Sequence, residues 1–288
     1  MPSGYPWRLF ASLLLLLGGV WAQEVFSPLP GSFLLPLNHP PGPEGCGVRW
    51  GLALANHLSY ASGPWGELGF DLEELRLEMG LGYRQGPLEA SVVWSFSLYH
   101  GGFMDYFLDP LHTVLGLPKN EVQGQVLLFA RRGEEERRWE GATWGFRDPY
   151  LRLDLYLQQG RLFGALALPV GASQRFLGSG GFRALLGAGW RWAGGDAGGV
   201  VWPLGEQPGL APFPYGPAAS ALLRLEEVWV PGLGLEVQGF WGPVREAGPF
   251  TQGFALRFRY GGWAFAEDLT RGLPDVVFSW GTVSPCGF

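Results

Sequence analysis

Residues 75–98 read LRLEMGLGYRQGPLEASVVWSFSL. Leu75, Leu77, Met79, Leu81 and Tyr83 lie on one face of an extended segment, and Arg76, Glu78, Gly80 and Gly82 on the other. After Gln85-Gly86-Pro87 the chain returns with Leu88, Ala90, Val92, Trp94, Phe96 and Leu98 against Glu89, Ser91, Val93, Ser95 and Ser97. Period-two alternation on both sides of a Gly-Pro turn predicts a β-hairpin. The outer face of a soluble sandwich would carry Lys, Glu and Thr, whereas the bulky face here is Leu, Met, Trp, Phe and Tyr. That face meets an apolar phase, and the small or charged face meets an interior, as in a membrane barrel.

The same rule extends in both directions. Val48, Trp50, Leu52 and Leu54 oppose Arg49, Gly51, Ala53 and Ala55; Leu151, Leu153 and Leu155 oppose Arg152 and Asp154; Leu186 and Trp190 oppose Arg183 and Gly187. Pro231-Gly232 joins residues 221–230 to 233–241, Phe254, Leu256 and Phe258 oppose Arg257 and Arg259, and Val276, Phe278 and Trp280 mark the last strand. With a less regular strand at Val122 to Arg131, the pattern predicts an all-β, antiparallel up-and-down transmembrane β-barrel of about ten to twelve strands. It occupies residues 47–288 as one domain, with Trp50, Trp65, Trp94, Trp144, Trp190, Trp229, Trp241, Trp263 and Trp280 as aromatic-girdle candidates. The alternative is an exported β-sandwich with an aromatic core. Ala193 to Pro217, rich in Gly and Pro, reads as an extracellular-type loop and a candidate interaction surface, and Gly133 to Arg138 as a charged hairpin tip that could meet lipopolysaccharide.

Composition agrees. Of 288 residues 47 are Gly and 24 Pro, which weaken helix interiors, and 16% are charged against 47% apolar, which fits neither disorder nor an ordinary soluble domain. Residues 1–22 read as an export signal: Arg8, an apolar run from Phe10 to Val20 and Val20-Trp21-Ala22 at its end. The run is shorter than the roughly 20 residues of a spanning helix. A Pro-rich segment, 23–46, follows, and the predicted location is the outer membrane, with the periplasm as alternative. Cys46 and Cys286 flank the barrel, where closure would bring them together as a disulfide; the alternative is two unrelated thiols. The net charge is −6 and there is no basic run, which speaks against a nucleic-acid partner.

One segment is different. Phe103, Phe107, Leu111, Val114 and Leu115 fall at helical spacing before Gly116-Leu117-Pro118, predicting one short helical insertion. Gly101-Gly102-x-x-Asp105, His112 and Gly116-Leu117-Pro118 resemble a bacterial exported family known as domain of unknown function 3187. Weaker echoes are Leu168-Pro169-Val170-Gly171 with Gly178-Ser179-Gly180, and Asp275-Val276-Val277-Phe278; Pro110 and Val170 depart from the family pattern. The resemblance spans most of residues 47–284 and implies an outer-membrane barrel without an established activity.

Asp105, Asp109 and His112 share one helix face, with His100 before them. Two carboxylates and an imidazole could hold a metal, but the preferred reading puts the helix at the barrel mouth or lumen as a constriction. There its acids meet the inward Arg76, Arg152, Arg183, Arg257 and Arg259, because a buried charge needs a partner. A lipid-modifying hydrolase is the second reading, with Ser95 or Ser97, His100 or His57, and an acid such as Glu89. No G-x-S-x-G, H-E-x-x-H, Walker or C-x-x-C motif occurs, and no cofactor is expected. The expected partners are outer-membrane lipid and small solutes or apolar compounds passing a narrow or plugged channel.

Overall fold

The computed structural model describes residues 42–102, 104, 110, 113, 126–190, 196–210, 212–213, 216–225, 233–242, 252–260, 263–268 and 276–286. Twelve antiparallel strands close into a barrel in chain order: β1 (Gly45–Gly63), β2 (Gly66–Gln85), β3 (Leu88–His100), β7 (Tyr150–Leu157), β8 (Gly160–Ala167), β9 (Phe182–Trp190), β10 (Asp196–Leu204), β11 (Ala218–Leu225), β12 (Leu233–Trp241), β13 (Gln252–Tyr260), β14 (Trp263–Asp268) and β15 (Val276–Pro285). Strand β15 pairs with β1 and β2 with β3, which closes the twelve-stranded wall on itself. Between β3 and β7 come β4 (Leu127–Arg132), β5 (Glu135–Glu140) and β6 (Thr143–Phe146). The β4–β5 hairpin extends the distal half of β2, where Glu67–Asp71 pairs with Leu127–Arg131. Strands β6 and β7 together form one broken strand beside β3, interrupted at Arg147-Asp148-Pro149.

Each alternation read above sets one face outward. Trp50, Tyr83, Trp190, Tyr260 and Trp263 ring the short-turn end, with Trp280 stacked edge-on at 4.2 Å from Trp50. Tyr60, Trp144, Phe146, Trp202 and Trp241 ring the long-loop end. Exposed Leu52, Leu75, Leu77, Leu81, Leu151, Leu153 and Leu186 fill the belt between. Gly86 at φ +57° takes the left-handed position of the Gln85–Leu88 turn.

The structure corrects two expectations. The stretch from Ala193 to Pro217 is not one loop, because β10 lies inside it. Val200, Trp202 and Leu204 face outward while Ala197 and Val201 face in, and Gly198-Gly199 hid the alternation. Trp65 is no girdle residue: it turns into the mouth and packs on Phe213 at 5.6 Å. Residues 133–136 and Arg138 of the charged hairpin tip are exposed as expected, while Arg137 reaches the carbonyls of Ser173 and Pro208 at 2.5 Å each. The sandwich alternative ends with barrel closure. Cys46 and Cys286 form a disulfide with Cα atoms 5.4 Å apart, at the short-turn end of the β1–β15 seam.

Candidate functional site in the barrel lumen

The inward face of each strand carries small residues and a few ionic groups. Their clusters are set by register, since directly opposed residues share a face. Glu74 on β2 is the hub of the largest. Its Oε1 accepts from Arg76 Nε (2.9 Å), Ser97 Oγ (2.5 Å) and Arg147 Nη1 (2.6 Å), and its Oε2 from Arg76 Nη2 (2.8 Å), with His57 Nε2 at 3.1 Å. Arg152 chelates Asp154 at 2.8 and 2.9 Å, and both Arg152 and Arg161 lie over the Phe163 ring, at 4.4 and 5.0 Å from its centroid. Glu236 accepts from Arg257 at 3.0 Å and Arg259 at 2.7 Å. Arg49 pairs with Glu89, which also accepts from Tyr156 and the Gly42 amide.

A buried carboxylate shared by two guanidinium groups costs more to remove than to keep, because its loss strands like charges in a low-dielectric site. Glu74→Gln is therefore expected to destabilise the barrel by about 3 kcal/mol. The measurement is the urea midpoint of the folded band in lipid vesicles, and a midpoint equal to that of the parent chain would refute the hub role.

The long-loop end of the lumen is filled by two loops. In the first, residues 168–181, a single 3₁₀ turn (Ser173–Arg175) leads to Phe176 and Leu177. Both are buried against inward Ala53, Ala55, Leu68, Phe70, Phe240 and Val277. Phe176 sits at φ +58°, an uncommon conformation for an aromatic residue, held where its carbonyl accepts from Tyr99 Oη (3.2 Å) and Arg137 covers its ring at 4.6 Å. In the second loop Gly209 donates to the Ser179 carbonyl at 2.6 Å, and Phe213 joins the same apolar cluster. Asp148, in the break between β6 and β7, clamps the first loop. It accepts from Gly171 N (2.9 Å), Ser179 N (2.7 Å), Ser179 Oγ (2.9 Å) and Arg183 Nη2 (2.9 Å).

Arg76, Arg152, Arg183 and Arg257 are buried within the lumen and Arg259 nearly so. Asp105, Asp109 and His112 lie outside the described residues. The described start of their segment sits on the outer wall. Met104 packs on Val276, Leu54 and Phe265, its amide donates to outward-facing Glu73, and Gly102 leaves no room for a Cβ beside that carboxylate. His100 is on this outer side too, its Nδ1 3.9 Å from Glu73, so the wall lies between it and inward Ser95 and Ser97. Ser97 and His57 each bond to Glu74 rather than to the other, so the hydroxyl–imidazole bond of a hydrolase triad is not made between them. Among the described residues no group of three or more His, Cys, Asp or Glu could hold a metal.

Arg147, Asp148, Glu74 and Glu236 were not read from the sequence as site residues. Glu74 is one step beyond the alternation that starts at Leu75, and extending the period backward would have found it. Arg147 and Asp148 sit in a strand break, where periodicity carries no signal. On the outer wall, an apolar groove of about 700 Å³ runs over β2, β3, β7 and β8 above Ala90 and Gly164, between Leu81, Tyr83, Leu151 and Leu153.

Comparison with family models gives no match, and neither does comparison with curated proteins. The chain is similar in structure to the COG4313 outer membrane channel from Pseudomonas putida F1. The TM-score is 0.53 at 13% identity, covering 87% of this chain and 100% of that one, a likeness of fold. BamA from Haemophilus ducreyi lacking POTRA domains 1–3 aligns at TM-score 0.28 and 9% identity, over 84% of this chain and 71% of that one, and no argument rests on it.

Proposed function

We propose that this chain is an outer-membrane β-barrel, exported through residues 1–22, that forms a narrow channel for small solutes closed at its outer end by the two inserted loops. The observation that carries this reading is the inversion of an ordinary protein. Leucines and two aromatic rings lie outside, and a buried arginine–carboxylate network lies inside. Only a hydrocarbon phase around the wall and a polar path within it reconcile those faces. Lipid covers the belt, and an acyl chain fits the outer groove over Ala90 and Gly164. A solute channel has a fold-level parallel in the Pseudomonas putida protein. The reading moves the constriction from segment 101–118 to Phe176, Leu177 and Phe213, which are buried among the inward residues at the long-loop end.

The test is gel mobility of envelope-extracted protein with and without boiling, followed by planar-bilayer recording. A heat-dependent shift in protein that sediments with the outer membrane, together with small unitary currents, is the expected result. Release with the soluble periplasmic fraction and no shift would overturn the membrane reading. A shift without any current, even from a chain lacking the loops, would overturn the channel.

A further inference from the structure

The outer groove of about 700 Å³ takes its shape from strand register. Tyr83 pairs with Ala90 and Ala90 with Leu153; one step up, Leu81 pairs with Val92 and Val92 with Leu151. Directly opposed residues share a face, so Ala90 and Val92 on β3 form a floor between a Leu81–Tyr83 ridge on β2 and a Leu151–Leu153 ridge on β7. The ridges stand proud of it, with Tyr83 60% and Leu153 65% exposed. Beyond Leu153 its partner Gly164 on β8 lowers the wall again. None of the outward side chains lining the trough is charged, and the Tyr83 hydroxyl lies at its short-turn end.

Depth and width narrow the occupant. Leu88 opens β3 at the short-turn end, which in barrels of this kind faces the periplasm. Trp94 lies about 20 Å further along the strand. At a tilt of about 40° this is about 15 Å of depth, half of the roughly 30 Å hydrocarbon core. Ala90 and Val92, between them, therefore face the inner leaflet. Strands β2 and β7 flank β3, so the two ridges rise from backbones about 10 Å apart, and their own side chains take up part of that width. An α-helix of another protein, about 10 to 12 Å across, does not enter, and the wall of a second barrel would touch only the ridge tops. A single hydrocarbon chain does enter, and it asks for no hydrogen bond. The volume is that of a site for one small ligand, roughly 300 to 1,000 Å³.

We propose that this trough is a lipid-binding site, which holds one acyl chain of an inner-leaflet phospholipid in preference to the rest of the belt, so that the barrel carries a resident lipid. The inference rests on the membrane reading and is independent of the channel. A chain lying over Ala90 and Val92 is touched by the floor and by both ridges, whereas a chain against the flat belt is touched on one side only. Tyr83 places its hydroxyl at the level of the lipid's polar part.

Wild type, Ala90→Leu and Ala221→Leu are purified in mild detergent, checked for the heat-dependent gel shift, incubated with dipalmitoyl phosphatidylethanolamine and weighed by native mass spectrometry. Ala90 is exposed, so leucine there fills the trough without entering the core. Ala221 shares the outward face of β11 with Leu223 and Leu225, and makes the same change in the belt away from the trough. Wild type and Ala221→Leu are expected to retain one phospholipid, and Ala90→Leu about tenfold less. Equal retention by wild type and Ala90→Leu, or an equal loss in both variants, overturns the site. Wild-type crystals grown with a phospholipid brominated on its acyl chain need no variant. Anomalous peaks between the Leu81 and Leu151 ridges support the site; peaks only elsewhere, or a trough filled by detergent alone, overturn it. A barrel that shows the gel shift but retains no lipid rejects this site alone, whereas absence of the shift rejects the membrane reading beneath it.

Discussion

Replacing Cys46 and Cys286 with serine lowers the stability of the folded barrel by about 5 kcal/mol. The bridge spans 240 residues, nearly the whole described chain. In the chain-entropy account the gain grows with the logarithm of the closed loop, so this bridge lies near the top of the usual range. The folded state changes little when it is cut. Strands β1 and β15 stay paired from Gly47–Pro285 to Asn56–Val276, and the Cys286 amide still reaches the Cys46 carbonyl position at 3.1 Å. The effect therefore falls on the unfolded chain, whose ends are released. Urea titrations of oxidised wild type and the double serine variant in vesicles of the same lipid measure it. The expected result is a lower midpoint for the variant, which still closes and still shows the gel shift. Coincident midpoints would show that the bridge contributes nothing once the seam has formed.

What the sequence announced and what it hid follow one physical division. Wherever a strand meets an apolar phase on one side, the period of two is written in residues such as Leu75 to Tyr83, and face and register are readable. The same pattern gives the inward direction of Arg76, Arg152, Arg183, Arg257 and Arg259, but alternation alone does not separate a closed barrel from a sandwich or a Cys46–Cys286 bridge from two unrelated thiols, which the strand order and the disulfide do. Strand β10 escaped because glycines occupy both of its faces, at Gly198 and Gly199. The plug escaped for a deeper reason. Phe176, Leu177 and Phe213 are apolar residues in Gly- and Pro-rich loops, and nothing local distinguishes a loop that folds into a lumen from one that stands in water. Asp148 and Arg147 share that fate, since their partners are 23 to 73 residues away in the chain and the strand break removes the alternation. The helical spacing at 101–118 carries no sign of which side of the wall the segment takes, and Met104 at its start lies against the outer wall.

Removing Ser173 to Leu177, and joining the ends with glycines, should raise unitary conductance by roughly tenfold or more, because it takes Phe176 and Leu177 out of the apolar cluster at the long-loop end. A gentler change tests whether the plug is also a gate. Asp148 holds the loop through three donors, the Gly171 and Ser179 amides and the Ser179 hydroxyl, and losing even one hydrogen bond to a charged group is worth about 1.5 to 3 kcal/mol. That shifts a closed-to-open ratio by roughly ten- to a hundredfold. Asp148→Ala should accordingly increase the fraction of time spent open without changing the current of the open level, whereas the loop excision changes the current itself. Phe176 helps to decide between the two outcomes. Its left-handed backbone is held by Tyr99 and Arg137, so a loop freed from Asp148 has strain to relieve by leaving the lumen. If excision leaves conductance unchanged, residues 168–181 do not block the path. If excision raises it but Asp148→Ala alters neither current nor open time, the loop is a fixed plug, and opening requires the second loop at Pro208–Leu210 or the Arg137 anchor to move as well.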